Sequence, residues 1–226
     1  MTQPNTPFIV HTVPGSPFAR SVMATLIEKH LPWRLHPLPP GGSRQKPYLD
    51  LQPFGRLPTL EHDGFILYET QAILRYLDRV SPDPALTPTD IRAAARMDQV
   101  MNINDWHLFQ GCGNIIGFQR IVGPALMGLT PDLAVIAEAM PRAHVVIETL
   151  SKILGDQTFF VGERLSLADL LVAPQLDFLA QTPEWAELSQ GRENLNAWLA
   201  RLLERPSFQQ TTWAQVSAMA KAMASA

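Results

Sequence analysis

Apolar positions change their spacing about a third of the way along the chain, and that change divides it. Before residue 82 the apolar runs are short. Phe8-Ile9-Val10 is a compact run rich in β-branched residues. Ser16-Pro17 then opens a helix that carries Val22, Met23, Leu26 and Ile27 on one face. Trp33-Arg34-Leu35-His36 alternates as a second strand, and a Pro/Gly-rich connector over 37–42 leads to Tyr48-Leu49. Asp63-Gly64 lies between Thr59-Leu60 and Phe65-Ile66-Leu67-Tyr68, a strong signal for a β-hairpin. A helix from Thr70 to about residue 79 follows, with Ile73, Leu74 and Leu77 spaced along one face. The order is β-α-β, then β-β-α.

Pro82, Pro84 and Pro88 mark a linker. Thr87-Pro88-Thr89-Asp90 predicts a helix start, with Thr87 as N-cap, Pro88 at N1 and an acid at N3. Beyond it strand signals almost vanish, and helical periodicity runs over 93–109, 134–154, 167–179 and 195–203. Ser166-Leu167-Ala168-Asp169 reads as a capping box, a folding device. The alanine-rich stretch 218–226 either frays or forms a last helix. The expected architecture is an α/β domain over 1–82, a linker over 83–89 and an all-α helical bundle over 90–226.

Composition removes several function classes. The net charge is −3 and the 18 basic residues are scattered without a basic block, which argues against nucleic acid as a ligand. A single cysteine, Cys112, excludes an intramolecular disulfide and any C-x-x-C motif, and the six histidines show no metal-ligand spacing, so no metal is expected. Met1-Thr2-Gln3-Pro4-Asn5 lacks the basic and apolar regions of a signal peptide, and no apolar run reaches transmembrane length. A cytoplasmic chain without membrane contact is expected.

The candidate chemistry gathers around the hairpin. Pro58 cannot donate to a sheet ladder, so it belongs at a strand entrance or in a special turn, where it presents the backbone of Leu57 to an extended peptide. Glu69-Thr70 places a carboxylate and a hydroxyl at a helix start, where a ligand's ammonium and carboxylate can both be satisfied. The combination suits a small peptide with a free amino-acid head group, and glutathione fits that description. Read locally, Glu69 and Thr70 also serve as helix caps, and Ser16-Pro17 as an N-cap followed by an N1 proline.

Gln52-Pro53-Phe54-Gly55-Arg56-Leu57-Pro58-Thr59-Leu60 with Tyr68-Glu69-Thr70-Gln71-Ala72-Ile73 resembles the glutathione-site signature of the glutathione S-transferase family. The family usually has Asn, Val and Ser at the places of Gln52, Leu57 and Thr70. Gly15-Ser16-Pro17-Phe18-Ala19-Arg20-Ser21-Val22 resembles the segment carrying the catalytic serine in its phi and theta groups. Phe160-Val161-Gly162-Glu163 followed by Ser166-Leu167-Ala168-Asp169 resembles the motif opening a buried helix of the family's second domain. These matches are ordered and span residues 8 to about 178.

The resemblance implies a thioredoxin-like N-terminal domain, a helical C-terminal domain, and glutathione as co-substrate. It assigns Ser16 to the catalytic thiolate, Glu69 to the γ-glutamyl amino group and Thr70 to its carboxylate. Arg44 matches the loop position where phi-like members hold the glycine carboxylate with a lysine; Lys46 is its rival, and Arg56 adds a charged contact or faces water. A pocket for a small apolar electrophile is expected from Val13 and Pro14 together with Met101, Asn104 and His107 of the helix over 97–109. Cys112 falls away from the place of the nucleophile in cysteine-type members. A homodimer is implied, with Arg75, Asp78 and Arg79, and Arg92 and Arg96, as candidate polar partners. The activity implied is attack of the thiolate on an electrophilic carbon or a peroxide, in detoxification. The alternatives are an isomerase or dehalogenase on the same scaffold, or a non-catalytic interaction module, which has no need for both Ser16 and the Glu69-Thr70 pair.

Overall fold

The computed structural model describes residues 6–224. Met1 to Asn5, on which the signal-peptide reading rests, and Ser225 and Ala226 lie outside the described residues. The chain forms two compact units. One runs through Leu86 and takes in the stretch from Glu204 onward; the other is Thr87–Leu203. The expected helical region ran to 226, so the return of the C-terminal stretch to the first unit is a departure.

The first unit is built on β1 (Phe8–Thr12), α1 (Pro17–Glu28), β2 (Trp33–Pro37), a short helix α2 (Tyr48–Leu51), β3 (Thr59–His62), β4 (Phe65–Leu67) and α3 (Thr70–Val80). The sheet order is β2-β1-β3-β4. β1 and β2 are parallel, while β3 runs antiparallel to both β1 and β4. This is the mixed four-stranded sheet expected of the α/β region. Phe8, Val10, Leu35 and Leu60 are buried, as are Val22, Met23 and Leu26 of α1 and Ile73, Leu74 and Leu77 of α3. Those helical positions are the ones the spacing picked out.

Lys29 is fully buried at the end of α1. Its ammonium donates to Asp78 Oδ1 at 2.7 Å and to the Pro84 carbonyl at 2.6 Å, and Leu86 N donates to the same Asp78 oxygen at 3.0 Å. Asp78 was expected among the polar partners of a dimer contact. It is instead buried and tied to Lys29, which fastens α3 to the end of α1 and to the segment leaving the unit.

The C-terminal stretch, with α11 (Pro206–Gln209) and α12 (Trp213–Ala224), is clamped to α1. Arg205 makes a two-pronged pair with Glu28, both N···O distances being 2.7 Å, and Ser207 donates to Glu28 Oε1 at 2.5 Å. Arg20 donates to the Phe208 carbonyl at 3.1 Å and lies over the Phe208 ring. Burial pushes the Glu28 carboxyl up, but the bonds from Arg205 and Ser207 outweigh it and hold the group below its ordinary range. No local signal marks this return, since its partners lie 177 and 188 residues apart in sequence.

In the second unit α4 (Ile91–Ile103) continues through a π-helical stretch Asn104–Gly113, α5 (Asn114–Gly117), a second π-helical stretch Phe118–Val122 and α6 (Gly123–Met127). The helix starts later than predicted: Asp90, not Thr87, is the N-cap, accepting from Ala93 N at 2.9 Å. Then come α7 (Leu133–Leu154), α8 (Leu167–Ala180), α9 (Trp185–Leu188) and α10 (Glu193–Leu203). α8 is buried along most of its length. A Cβ on Gly117 would meet the Phe178 ring at 2.6 Å, so the missing side chain is what lets α5 approach α8. Among the described residues no helix is long and apolar enough to cross a membrane.

Candidate functional site

Strand register brings the separated motifs of the first unit to one end of the sheet. In the β3–β4 hairpin Leu60 stands opposite Leu67, so Pro58 and Glu69 leave it at the same end. In the β1–β3 pair His11 stands opposite Thr59, which carries Val13, Pro14 and the Gly15-Ser16 turn out of β1 beside Leu57-Pro58. Two helices, α1 and α3, start at this end. Their N-terminal N–H groups and dipoles favour negative charge there.

Ser16 is the N-cap of α1, with φ −73° and ψ 116°, and Pro17 takes the N1 place. Its Oγ accepts from Ala19 N at a long 3.3 Å. The capping role read from the sequence is therefore present. A hydroxyl that accepts in this way keeps its own O–H as a donor, so capping leaves the catalytic role open to the same group.

Glu69 is more unusual. It is the residue before α3 and holds φ 67° and ψ 111°, a left-handed backbone that non-glycine residues rarely adopt. Such a conformation costs about 1–3 kcal/mol and persists where surrounding structure imposes it. Glu69 is exposed and its side chain takes no part in the cap, while Thr70 beside it is buried. The capping role expected of the Glu69 side chain is absent, and its carboxylate remains at the helix start for other use.

The Leu57-Pro58 bond is cis, and Leu57 lies ahead of β3, outside the ladder. The loop before it is held from within. Tyr48 donates to the Arg56 carbonyl at 2.6 Å and shares a 2.9 Å bond with Thr59 Oγ1, and Phe54 N donates to Gln52 Oε1 at 2.7 Å. Gly55 has φ +60°, and a Cβ there would lie 2.8 Å from the Ser43 carbonyl and 3.1 Å from Arg44 Cδ. This glycine lets the 43–44 loop close on the strand entrance, with Arg44 alongside it. Lys46 points its charge to Asp50 at 3.2 Å on the exposed surface. Arg56 is exposed as well.

Of the residues expected at an electrophile pocket, Val13 and Pro14 are half-buried at this end of the first unit. In the second unit Met101 and Asn104 are fully buried and His107 is exposed. Asn104 opens the first π-helical stretch and donates through Nδ2 to Asp105 Oδ1 at 3.0 Å. A cleft of about 500 Å³ in this unit is lined by Arg96, Lys152, Ile153 and Phe160, among others, and by none of these three. Burial, eased only slightly by Gly113 N–H, pushes the Cys112 thiol up to about 12, so it is no thiolate near neutral pH. Among the described residues no cluster of His, Cys, Asp and Glu could hold a metal ion.

The supports supplied by Tyr48 and Gly55 escaped the sequence reading. A glycine two residues after a proline was a fair signal for a tight loop, but which loop it would admit was not encoded nearby.

Residues 10–85 match the family model described as glutathione S-transferase, N-terminal domain, and residues 116–206 the corresponding C-terminal domain. A glutathione S-transferase, hmp2, of Hypomyces subiculosus is 32% identical over 206 residues, covering 88% of this chain and 93% of that protein. The crystal structure of glutathione transferase F2 from Populus trichocarpa superposes with a TM-score of 0.82 at 26% identity, covering 93% of this chain and 100% of that one. Glutathione S-transferase I from maize, in complex with an atrazine glutathione conjugate, superposes with a TM-score of 0.80 at 26% identity, covering 93% and 98%.

Proposed function

The chain belongs to the glutathione S-transferase family and is an enzyme of it; from that premise we propose that the end of the sheet just described is its glutathione site, with Ser16 as the catalytic residue. The observation that carries the assignment is Glu69, held in a strained left-handed backbone with its carboxylate unused by the cap. Glu69 receives the γ-glutamyl ammonium, and Thr70 with the start of α3 receives the neighbouring carboxylate. The backbone of Leu57 pairs with the cysteinyl unit as an added strand would. Arg44, drawn to the strand entrance by Gly55, holds the glycine carboxylate, and Lys46, already paired with Asp50, does not. Arg56 faces solvent.

Ser16 Oγ–H donates to the sulfur. A thiol of ordinary pKa, about 8.5, is mostly protonated at neutral pH, and a hydrogen bond together with the α1 N-terminus stabilises the ionised form. The thiol proton leaves to solvent. The thiolate then attacks an electrophilic carbon; a C–S bond forms, the bond to the leaving group breaks, and that group departs with its electron pair. Positioning and thiolate stabilisation supply the rate gain.

The electrophile is a small apolar molecule, met in the first unit by Val13 and Pro14, which lie half-buried beside Ser16. The same reading takes the enzyme to be a cytoplasmic homodimer acting in detoxification, with exposed Arg79, Arg92 and Arg96 available to a partner. A light-scattering mass of two chains at micromolar concentration is expected; a single-chain mass would remove the dimer from the proposal. The site itself is tested by retention on glutathione resin followed by turnover of a chlorinated nitroaromatic. Wild-type protein should be retained and active, and Glu69→Ala should lose retention.

A further inference from the structure

Gly15, immediately before Ser16, has φ +86°, and a Cβ built on it would fall 2.7 Å from Cδ2, 2.8 Å from Cε2 and 3.1 Å from Cε3 of Trp213. All three atoms belong to the fused indole, so its flat surface covers the Gly15 α-carbon. Two constraints require glycine there: the left-handed turn, and the absence of room beneath the ring. Trp213 opens α12 and is only half-buried, so part of the indole remains open.

The ring is held from both sides. Upstream, the Arg205–Glu28 fork, Ser207, and Arg20 with Phe208 fasten the segment to α1. Downstream, α12 packs on β2 and buries Val216. Thr212 Oγ1 accepts from Gln215 N at 3.2 Å and fixes the first turn of α12. A C-terminal segment, remote in sequence from every motif noted above, thus delivers a rigid aromatic surface to the residue beside Ser16.

We propose that Trp213 is a specificity-determining residue, a wall beside the sulfur that favours planar aromatic electrophiles over small alkyl ones. The inference rests on the glutathione site assigned above. A reacting carbon must come within about 3–3.5 Å of the sulfur, and the sulfur is hydrogen-bonded to Ser16. Consecutive residues are about 3.8 Å apart, so an aryl ring on that carbon reaches an indole packed on residue 15, whereas a methyl or ethyl group does not. Aromatic contacts of this kind change rate or affinity by about three- to ten-fold.

The test compares wild type, Trp213→Leu and Trp213→Phe with 1-chloro-2,4-dinitrobenzene and with iodoethane, recording kcat/KM for each and the glutathione KM. In Trp213→Leu the aryl-to-alkyl ratio of kcat/KM should fall about three- to ten-fold with the glutathione KM unchanged, and Trp213→Phe should restore most of the ratio. If Trp213→Leu does not fold, the Trp213→Phe enzyme is read by fluorescence: an S-aryl glutathione conjugate should quench wild type more than this variant. An equal loss on both electrophiles with a lowered Tm would mean that Trp213 only packs, and would overturn the proposal, as would equal quenching. Failure of wild type to bind glutathione would take down this inference and the function above together; an intact glutathione KM with an unchanged ratio overturns the role of Trp213 alone.

Discussion

Two helix starts in this protein use the same residue types and do opposite things with them. At α8, Ser166 and Asp169 are fully enclosed. Asp169 Oδ1 accepts from Phe160 N at 3.0 Å and Trp198 Nε1 at 2.9 Å, while Oδ2 accepts from Ser166 N at 2.9 Å and Ser166 Oγ at 2.6 Å. Its bonds are spent inside the fold. At the sheet end of the first unit, Ser16 takes one long bond from Ala19 N, and the Glu69 side chain contributes nothing to its own helix. A closed set of bonds marks a folding device. An acid left out of its own helix cap at a strained, exposed helix start is the feature on which the proposed glutathione site rests.

Mutations at the two starts should therefore fail in different ways. The largest effect is expected at the closed one. Asp169→Ala leaves Phe160 N and Trp198 Nε1 buried without an acceptor, which should cost about 3 kcal/mol or more in urea unfolding. The thiol pKa of bound glutathione, read as thiolate absorbance against pH, should not move. A variant as stable as wild type would contradict the enclosed-network account.

Ser16→Ala should do the reverse. Loss of one hydrogen bond to a charged sulfur should lower turnover by about ten- to a hundred-fold at neutral pH and raise the bound thiol pKa, with glutathione binding nearly intact. If Ser16 is only an N-cap, about 1 kcal/mol of stability is lost and the thiol pKa stays where it was.

Glu69 sharpens the contrast from the other side. Glu69→Ala should raise the glutathione KM about ten-fold, since a charged hydrogen bond contributes about 1.5–3 kcal/mol. Glu69→Gly should lose the same affinity yet raise stability by about 1 kcal/mol, because glycine adopts a positive φ without strain. Unchanged affinity by titration calorimetry in both variants would refute the assignment.

The smallest effect concerns Glu28, and its sign follows from its lowered pKa. A carboxyl held below its unfolded value stabilises the fold above the ordinary carboxylate range, and that contribution is lost as pH falls through the folded value. Acid should thus loosen the C-terminal stretch from α1, seen as lower amide protection factors in α12, corrected for the intrinsic exchange rate, on lowering the pH. Arg205→Ala should flatten that dependence.

Much of the fold was legible because its signals are short-ranged. Asp63-Gly64 between apolar runs, the face of α1 through Val22 and Leu26, and the Ser166–Asp169 box each need only a few consecutive residues, and each appears where expected. Thr87 misled because Pro88 after it imitates a helix entry, whereas Asp90 lies where its carboxylate can reach Ala93 N. Asp78 misled because a charged residue late in a helix reads as surface, and only Lys29, 49 residues away, accounts for its burial. The π-helical stretches leave no local mark at all.

Sequence alone determined the strands and main helices of the first unit, the long helical runs of the second, where the hairpin turns, and which residues could serve a small peptide with a charged head group. These follow from backbone preference and from periods of two and 3.6, properties of neighbouring residues. Only the tertiary structure decided that Glu69 adopts a left-handed backbone and leaves its carboxylate out of the cap, and that Arg44 lies against Gly55 while Lys46 pairs with Asp50. It alone laid Trp213 on the turn before Ser16. Each of these depends on strand register, or on packing between segments far apart along the chain, and no short window of residues contains that information.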